Sequence, residues 1–321
     1  MGKRKKVLYI WGICGILLSN LLGCGKIQNY QDVEERYIVG VVTKSSSSEY
    51  WMSVHSGMEA AAEKYGMEII FLSPDSELKK DVQDKLMKGL IEQEVDALAI
   101  SPIDSYNIPN YMREIKALGI PTITFDTGFE GSEIPYIGID NEKIGYELAK
   151  ILANEIGHKG EVGIVSGSLE QTVHKERVKG FQDYMALEDE ITIAFVESGY
   201  ANLQMSEKKV RTLLEEYPKV KGILATSAVT ALGLSSATES QGLKIVTLDE
   251  QKDALDALEN GRLSALALQS GYEIGYETIQ FLDNIRNEEG DMQDHIIEAE
   301  ILTKENIGEY RRAHETKTYS K

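Results

Sequence analysis

From Tyr37 onward the chain repeats one beat: a short apolar run of strand length, then a longer stretch with apolar residues at helical spacing. Strands are predicted at 37–42, 68–72, 97–100, 122–125 and 136–139, with helices at 50–65, 78–92 and 106–118 between them. In the first helix Trp51, Val54, Met58, Ala61, Ala62 and Tyr65 share one face, and Gly66 and Gly119 are placed to end helices. The beat restarts with a helix at 142–156 and strands at 161–165, 191–196, 222–225, 245–248 and 265–268. These alternate with helices at 173–185, 203–216, 228–240, 252–259 and 274–285. Strands alternating with helices imply parallel sheets covered on both faces. Two such runs, each on the order of a hundred residues, imply an α/β protein of two doubly wound parallel-sheet lobes.

Ahead of this pattern, Lys3 to Lys6 form a basic cluster, Val7 to Leu22 an apolar run, and Leu21-Leu22-Gly23-Cys24 follows. The run is short for a membrane span and carries the flanks of an export signal over 1–23. Its ending resembles the bacterial lipoprotein box, in which the cysteine, here Cys24, becomes the lipidated first residue; Leu22 is bulkier than that box usually carries. The alternatives are a plain signal or an uncleaved anchor. Residues 24–36 are polar and read as a tether, and 312–321 as a polar, frayed tail. With Cys14 in the signal and Cys24 lipidated, neither a disulfide nor a cysteine metal site is expected. The formal charge of −18 speaks against nucleic acid, whose phosphates require clustered Lys and Arg.

In a parallel α/β sheet, ligands sit beyond the carboxyl ends of the strands. The residues at those ends are Lys44 to Trp51, Ser101 to Asp104, Asp126-Thr127, Thr226-Ser227, Asp249-Glu250 and Gln269. Each alone reads as a turn or helix cap, since Asp, Ser and Thr are common there. Together they suit a neutral polyol: carboxylates accept from hydroxyls, amides donate and accept, and the Tyr50 and Trp51 rings pack on the C–H face of a sugar. Two such rings at a helix start are poorly placed for the core. Each carboxylate–hydroxyl bond is worth about 1.5–3 kcal/mol, so Asp126, Asp249 and ring burial together reach a micromolar affinity, about −8 kcal/mol.

Several landmarks occur in an order that resembles the type 1 periplasmic sugar-binding proteins, the ribose/galactose-binding group. Ser48-Glu49-Tyr50-Trp51 falls on their Asn-Pro-Phe-Phe stretch, and Ser101-Pro102-Ile103-Asp104 on their Asn-Pro-x-Asp turn. Gly119 to Asp126 matches their glycine, isoleucine, proline, strand, aspartate element, and Lys175 to Phe181 their Arg-Glu-Arg-x-x-Gly-Phe helix. Ile139-Asp140-Asn141, Ala231-Leu232-Gly233, Ile245 to Asp249 and Gln269 follow. The resemblance covers about residues 37–311. It implies two lobes (37–139 plus 269–299, and 140–268 plus 300–311) joined by three crossovers and closing on a ligand by hinge motion. It also implies delivery of the sugar to an ABC permease, or its presentation to a sensor kinase or chemoreceptor, with no cofactor.

Departures concern the ligand. Ser48, Ser101 and Ser227 stand where ribose binders use Asn, Thr127 where they have an arginine, and Lys175 in place of the arginine of the other lobe. Lysine lacks arginine's planar fork, so ribose itself is not the expected ligand. Tyr50, Trp51, Asp126, Asp249 and Gln269 are retained. Lys44 reads as a solvated loop charge. A lysine near that position, and the Lys304 to Gly308 tail, also resemble binders of the furanosyl quorum signal, but Val173-His174 stands where those carry an aspartate.

Other functions find little footing. No Gly-x-Gly-x-x-Gly follows the first strand, and Gly163 to Ser168 is not a nucleophile elbow. The five histidines are scattered; His174 is placed where it can line the cleft, and for each a surface role is expected ahead of chemistry. Lactose-type repressors share the two-lobe architecture but need a DNA-binding headpiece where this chain has an export signal.

Overall fold

The structure, a computed structural model, describes residues 36–318 apart from 47, 239–241 and 291. The expected signal, Cys24, all of the tether but Arg36, and residues 319–321 lie outside the described residues.

In chain order the first run comprises β1 (Tyr37–Val42), α1 (Glu49–Tyr65), β2 (Met67–Leu72), α2 (Lys80–Glu92), β3 (Ala97–Ile100), α3 (Tyr111–Leu118), β4 (Thr122–Phe125) and β5 (Tyr136–Gly138). The second comprises α4 (Asn141–Glu155), β6 (Gly160–Ser166), α5 (Thr172–Met185), β7 (Ile191–Ser198), α6 (Leu203–Glu216), β8 (Val220–Ala225), α7 (Ala228–Thr238), β9 (Lys244–Leu248), α8 (Lys252–Glu259) and β10 (Ala265–Ala267). Then come α9 (Gly271–Arg286), β11 (His295–Ile296), β12 (Ile301–Thr303) and α10 (Ile307–Thr318).

Two six-stranded sheets result, ordered β11-β5-β4-β3-β1-β2 and β12-β10-β9-β8-β6-β7. All neighbours are parallel except β10 and β12. The central strands of each sheet, such as β3 and β4, are buried on both faces, which is why they read as largely apolar runs. In β1, Val39 and Val41 face the core beneath α1 and α9, while Val42 packs with Leu98 and Ile100 on the other side. Each sheet reverses its winding beside its first strand, between β1 and β3 and between β6 and β8. Those switch points place the crevice at the carboxyl ends of the strands.

Among the described residues the chain passes between sheets three times, at 138–141, 267–271 and 296–301. The first two passages are short because a capped helix starts at once. Asp140 accepts from Lys143 N to cap α4, and Ser270 accepts from Glu273 N to cap α9.

Glycines set the helix spacing in both lobes. A Cβ on Gly57 of α1 would lie 2.0 Å from Tyr272 O, and one on Gly275 of α9 would lie 2.1 Å from Val54 O. In the other lobe a Cβ on Gly145 of α4 would sit 2.1 Å from Arg177 O, and one on Gly180 of α5 would sit 1.9 Å from Glu142 O. Only glycine lets these backbones approach so closely.

Two expectations are corrected. The helix expected over 106–118 starts at Tyr111, because Asp104 Oδ1 accepts from the Tyr106 and Asn107 amides (3.0 Å each) and turns the chain there. Residues 312–318 continue α10 rather than forming a frayed tail, with Arg311 in that helix paired to Asp256 and Glu259 of α8.

Candidate functional site

The first lobe's polar centre is Asp126, directly after β4 and held at φ 59°. Its Oδ1 accepts from Tyr50 Oη at 2.8 Å and Gln269 Nε2 at 3.1 Å. Its Oδ2 accepts from Lys44 Nζ at 2.9 Å, Thr127 Oγ1 at 3.0 Å and Ser101 Oγ at 3.1 Å. The strand ends that bring these groups together are tied by buried Gln83. Its amide donates to Thr43 O and Ser101 O and accepts from Ile103 N, each at 2.9 Å. Burial alone would raise the Asp126 pKa. The Lys44 charge and hydrogen bond, then Arg177 and Tyr50, overcome it and hold the carboxyl at about 2. Burial, then the Asp126 charge, push the Tyr50 phenol well above its usual range, so it remains a donor.

Lys44 corrects an expectation. It is no solvated loop charge: only 4 % exposed, it donates to Asp126, to Thr127 Oγ1 at 2.8 Å and to Gln171 Oε1 at 2.8 Å, and it lies 5.7 Å from the Trp51 ring centre. An ammonium out of water requires such an anion. The Gln171 contact crosses to the second lobe, and Gln171 Nε2 returns to Glu77 Oε2 of the first at 2.9 Å.

From the second lobe, α5 sends Arg177 into the cleft. Its Nε donates to Asn141 Oδ1 (2.8 Å), Nη1 to Thr226 O (2.9 Å) and Nη2 to Gln269 Oε1 (2.7 Å). Asp249 follows β9 at φ 81° and accepts from Ala228 N at the start of α7, at 3.0 Å. Burial raises its carboxyl pKa, an effect that Arg177 only partly offsets. His174 lines the cleft and is buried rather than on the surface, with Nδ1 2.8 Å from Thr226 Oγ1. Burial, then the Arg177 and Lys44 charges, push it well below its usual range and keep it neutral.

A cavity of about 520 Å³ lies between the two groups. Of the residues expected there, Ser48, Tyr50, Trp51, Asp126, Ser227 and Asp249 line it. Ser101, Thr127 and Gln269 are buried and bonded to residues of the cluster without lining it. Lys175 is not brought to the cleft: it is exposed, with its ammonium 4.6 Å from the Tyr106 ring centre, and Arg177 fills the place expected for it. The rings serve core and cleft together. Trp51 packs edge-on to Phe125 at 6.4 Å within the first-lobe core while also lining the cavity. Ser48 and Ser227 also cap, accepting from Trp51 N and Thr230 N.

Sequence reasoning missed Arg177 as a site residue, although helix phase marks it: with Val173 and Phe181 it lies on the inward face of α5, opposite Lys175 and Lys179. Lys44 stood at a strand end but nothing marked it as buried, and Gln171 carried no local signal. Among the described residues no group of three or more His, Cys, Asp and Glu could hold a metal, and no helix is long and apolar enough to cross a membrane. Chemically, the cavity offers an indole face, hydroxyls, a guanidinium with unspent donors and the buried carboxyl of Asp249, which is bonded to a backbone N–H rather than to a cation.

Comparison with known proteins agrees with this architecture. The chain is 26% identical over 255 residues to the ribose import binding protein RbsB of Bacillus subtilis, covering 78% of this chain and 82% of that one. An ABC transporter solute-binding protein from Actinobacillus succinogenes 130z, solved with bound D-allose, superposes with a TM-score of 0.80 at 23% identity, over 86% of this chain and 100% of that one. A chain of the XylFII-LytSN complex superposes with a TM-score of 0.76 at 25% identity, over 84% of this chain and 98% of that one. Residues 39–290 match the family described as periplasmic binding protein domain, and the chain belongs to that family.

Proposed function

We propose that this protein captures a monosaccharide or sugar-like polyol in the cleft between its lobes and delivers it, by hinge closure, to an ABC permease. The observation that carries this reading is the convergence of Trp51 and Ser48 from one lobe with Arg177 and Asp249 from the other on one cavity. A ring for the C–H face and charged groups for hydroxyls are the chemistry a sugar needs. The site residues so assigned are Ser48, Trp51, Arg177, Ser227 and Asp249, with Tyr50, Asp126, Thr127, Ser101 and Gln269 holding the first-lobe wall. The similar RbsB of B. subtilis is a ribose import binding protein, which supports transport. Presentation of the ligand to a sensor kinase is a second reading, favoured by the similarity to the XylFII-LytSN complex.

Of the chain's two tryptophans, Trp11 falls in the expected export signal, so in the exported protein the emission of Trp51 reports the cleft directly. Titration with pentoses, hexoses and polyols is expected to change that emission and to give micromolar affinity by calorimetry. Asp249→Asn is expected to weaken binding at least tenfold. No heat with any compound on the panel would remove the sugar reading. We further propose that Cys24 carries lipid and holds the protein on the outer face of the cytoplasmic membrane. Membrane association lost in Cys24→Ser, with labelled fatty acid incorporated only by the parent, is the expected result.

A further inference from the structure

Asp126 lines the cavity, yet its carboxylate is already filled. Two carboxylate oxygens offer about four lone-pair positions, and five protein donors stand at 2.8–3.1 Å from them. Lys44 is equally committed. Its three N–H donors meet Asp126, Thr127 and Gln171, so no donor is left over. A ligand hydroxyl reaches either group only by breaking a bond that already exists in a buried place, where an unpaired charge is costly.

We propose that Lys44 is an internal occupant of the first-lobe carboxylate. It stands on Asp126 where a ligand hydroxyl would otherwise stand, and through Gln171 it ties the two lobes as a bridging ligand does. Lys44 is thus a positioning residue that sets specificity by subtraction. Resting on the sugar reading, this assigns hydroxyl recognition to the second lobe. There Asp249 has one protein donor on it, and Arg177 spends three of its five N–H groups on Asn141, Thr226 and Gln269. The first lobe supplies mainly the Trp51 face. The ligand class is a compact polyol with its hydroxyls along one edge and an apolar face opposite. Sugars that depend on a carboxylate from each lobe are disfavoured.

The test compares Lys44→Met with Gln171→Ala. Gln171→Ala keeps Lys44 on Asp126 and breaks only the Gln171 bridge, one of several contacts between the lobes. Small-angle scattering is expected to show a larger radius of gyration for both variants than for the parent. Calorimetry against ribose, allose, arabinose, xylose and xylitol is expected to show Lys44→Met binding at least one of them tenfold or more tightly than Gln171→Ala does, because only that variant takes the ammonium off Asp126 Oδ2 and lets the rotatable Ser101 and Thr127 hydroxyls turn aside for a ligand hydroxyl. Binding by Lys44→Met that equals or falls below that of Gln171→Ala across the panel overturns the occupant role and makes Lys44 a ligand contact or a structural ion. Should Lys44→Met fail to fold, Lys44→Met with Asp126→Asn removes both charges and carries the scattering comparison. Binding by no protein in the set removes the sugar reading instead, and scattering then decides alone. Unchanged dimensions in the bridge variants overturn the tie between lobes.

Discussion

The two cleft aspartates titrate in opposite senses, and this makes their roles separable. Asp126 is held at about 2, below its unfolded value near 3.9. Its ionisation therefore contributes stability that is fully present above about pH 4 and is lost as the pH falls through about 2, roughly 2–3 kcal/mol in all. Asp126→Asn is expected to cost about 3–5 kcal/mol at neutral pH, since Lys44 is left buried without an anion. The gap to the parent in urea unfolding should close toward pH 2; a gap independent of pH would contradict the pairing. Asp249 is raised by burial, so its carboxylate costs stability at neutral pH and that cost disappears as the pH falls through its folded value. Asp249→Asn is accordingly expected to melt higher than the parent at pH 7, by about 2–4 °C for each kcal/mol relieved, while binding ligand less well. Melting and calorimetry on one preparation check both halves. Legibility at this scale was uneven. Both aspartates were readable from their strand ends; Lys44 stood at one too, but its burial was not readable, because its acceptors are 82 to 127 residues away and nothing near it in sequence announces a buried ammonium.

At the scale of elements, the pattern of apolar residues carried most of the information. Strands β1, β3 and β4 and helices α6 and α8 occupy the spans their periodicity predicts. What the pattern did not show was the short β11 and β12, which follow the last helix of the second run and fall outside the strand–helix beat. The helix crossings were also hidden, since a glycine within a helix reads only as a mild cost. Yet Gly145 is where α4 rests on the Arg177 carbonyl, so the element that buries the lobe core also aims the cleft arginine. Gly145→Ala is expected to destabilise the protein by about 1–3 kcal/mol and to weaken ligand binding beyond what stability accounts for. Denaturant unfolding with calorimetry tests this; normal affinity in a destabilised variant would detach Arg177 from the crossing.

For the whole molecule, Gln269 is the point where lobes, hinge and cleft meet. It leaves β10 at the second passage, donates to Tyr50 and Asp126 of one lobe and accepts from Arg177 of the other. Gln269→Ala is expected to lower affinity about tenfold and to broaden the distribution of inter-lobe distances measured between spin labels; a narrow parent-like distribution would deny it a hinge role. The two-lobe plan was legible because the strand–helix beat restarts, while the contacts across the cleft join residues no local pattern relates. The lobes repeat one another closely enough that Asp126 and Asp249 occupy the same station, just after the fourth strand of each run, and both sit in left-handed backbone. That conformation is readily open only to glycine, asparagine and aspartate. Evolution can therefore retune either station by exchanging a carboxylate for an amide, or by deleting the side chain altogether, and by little else. A relative that has changed its ligand should show Asn or Gly at these two places, with the larger substitutions confined to residues such as Lys44 whose backbone is free to accept them.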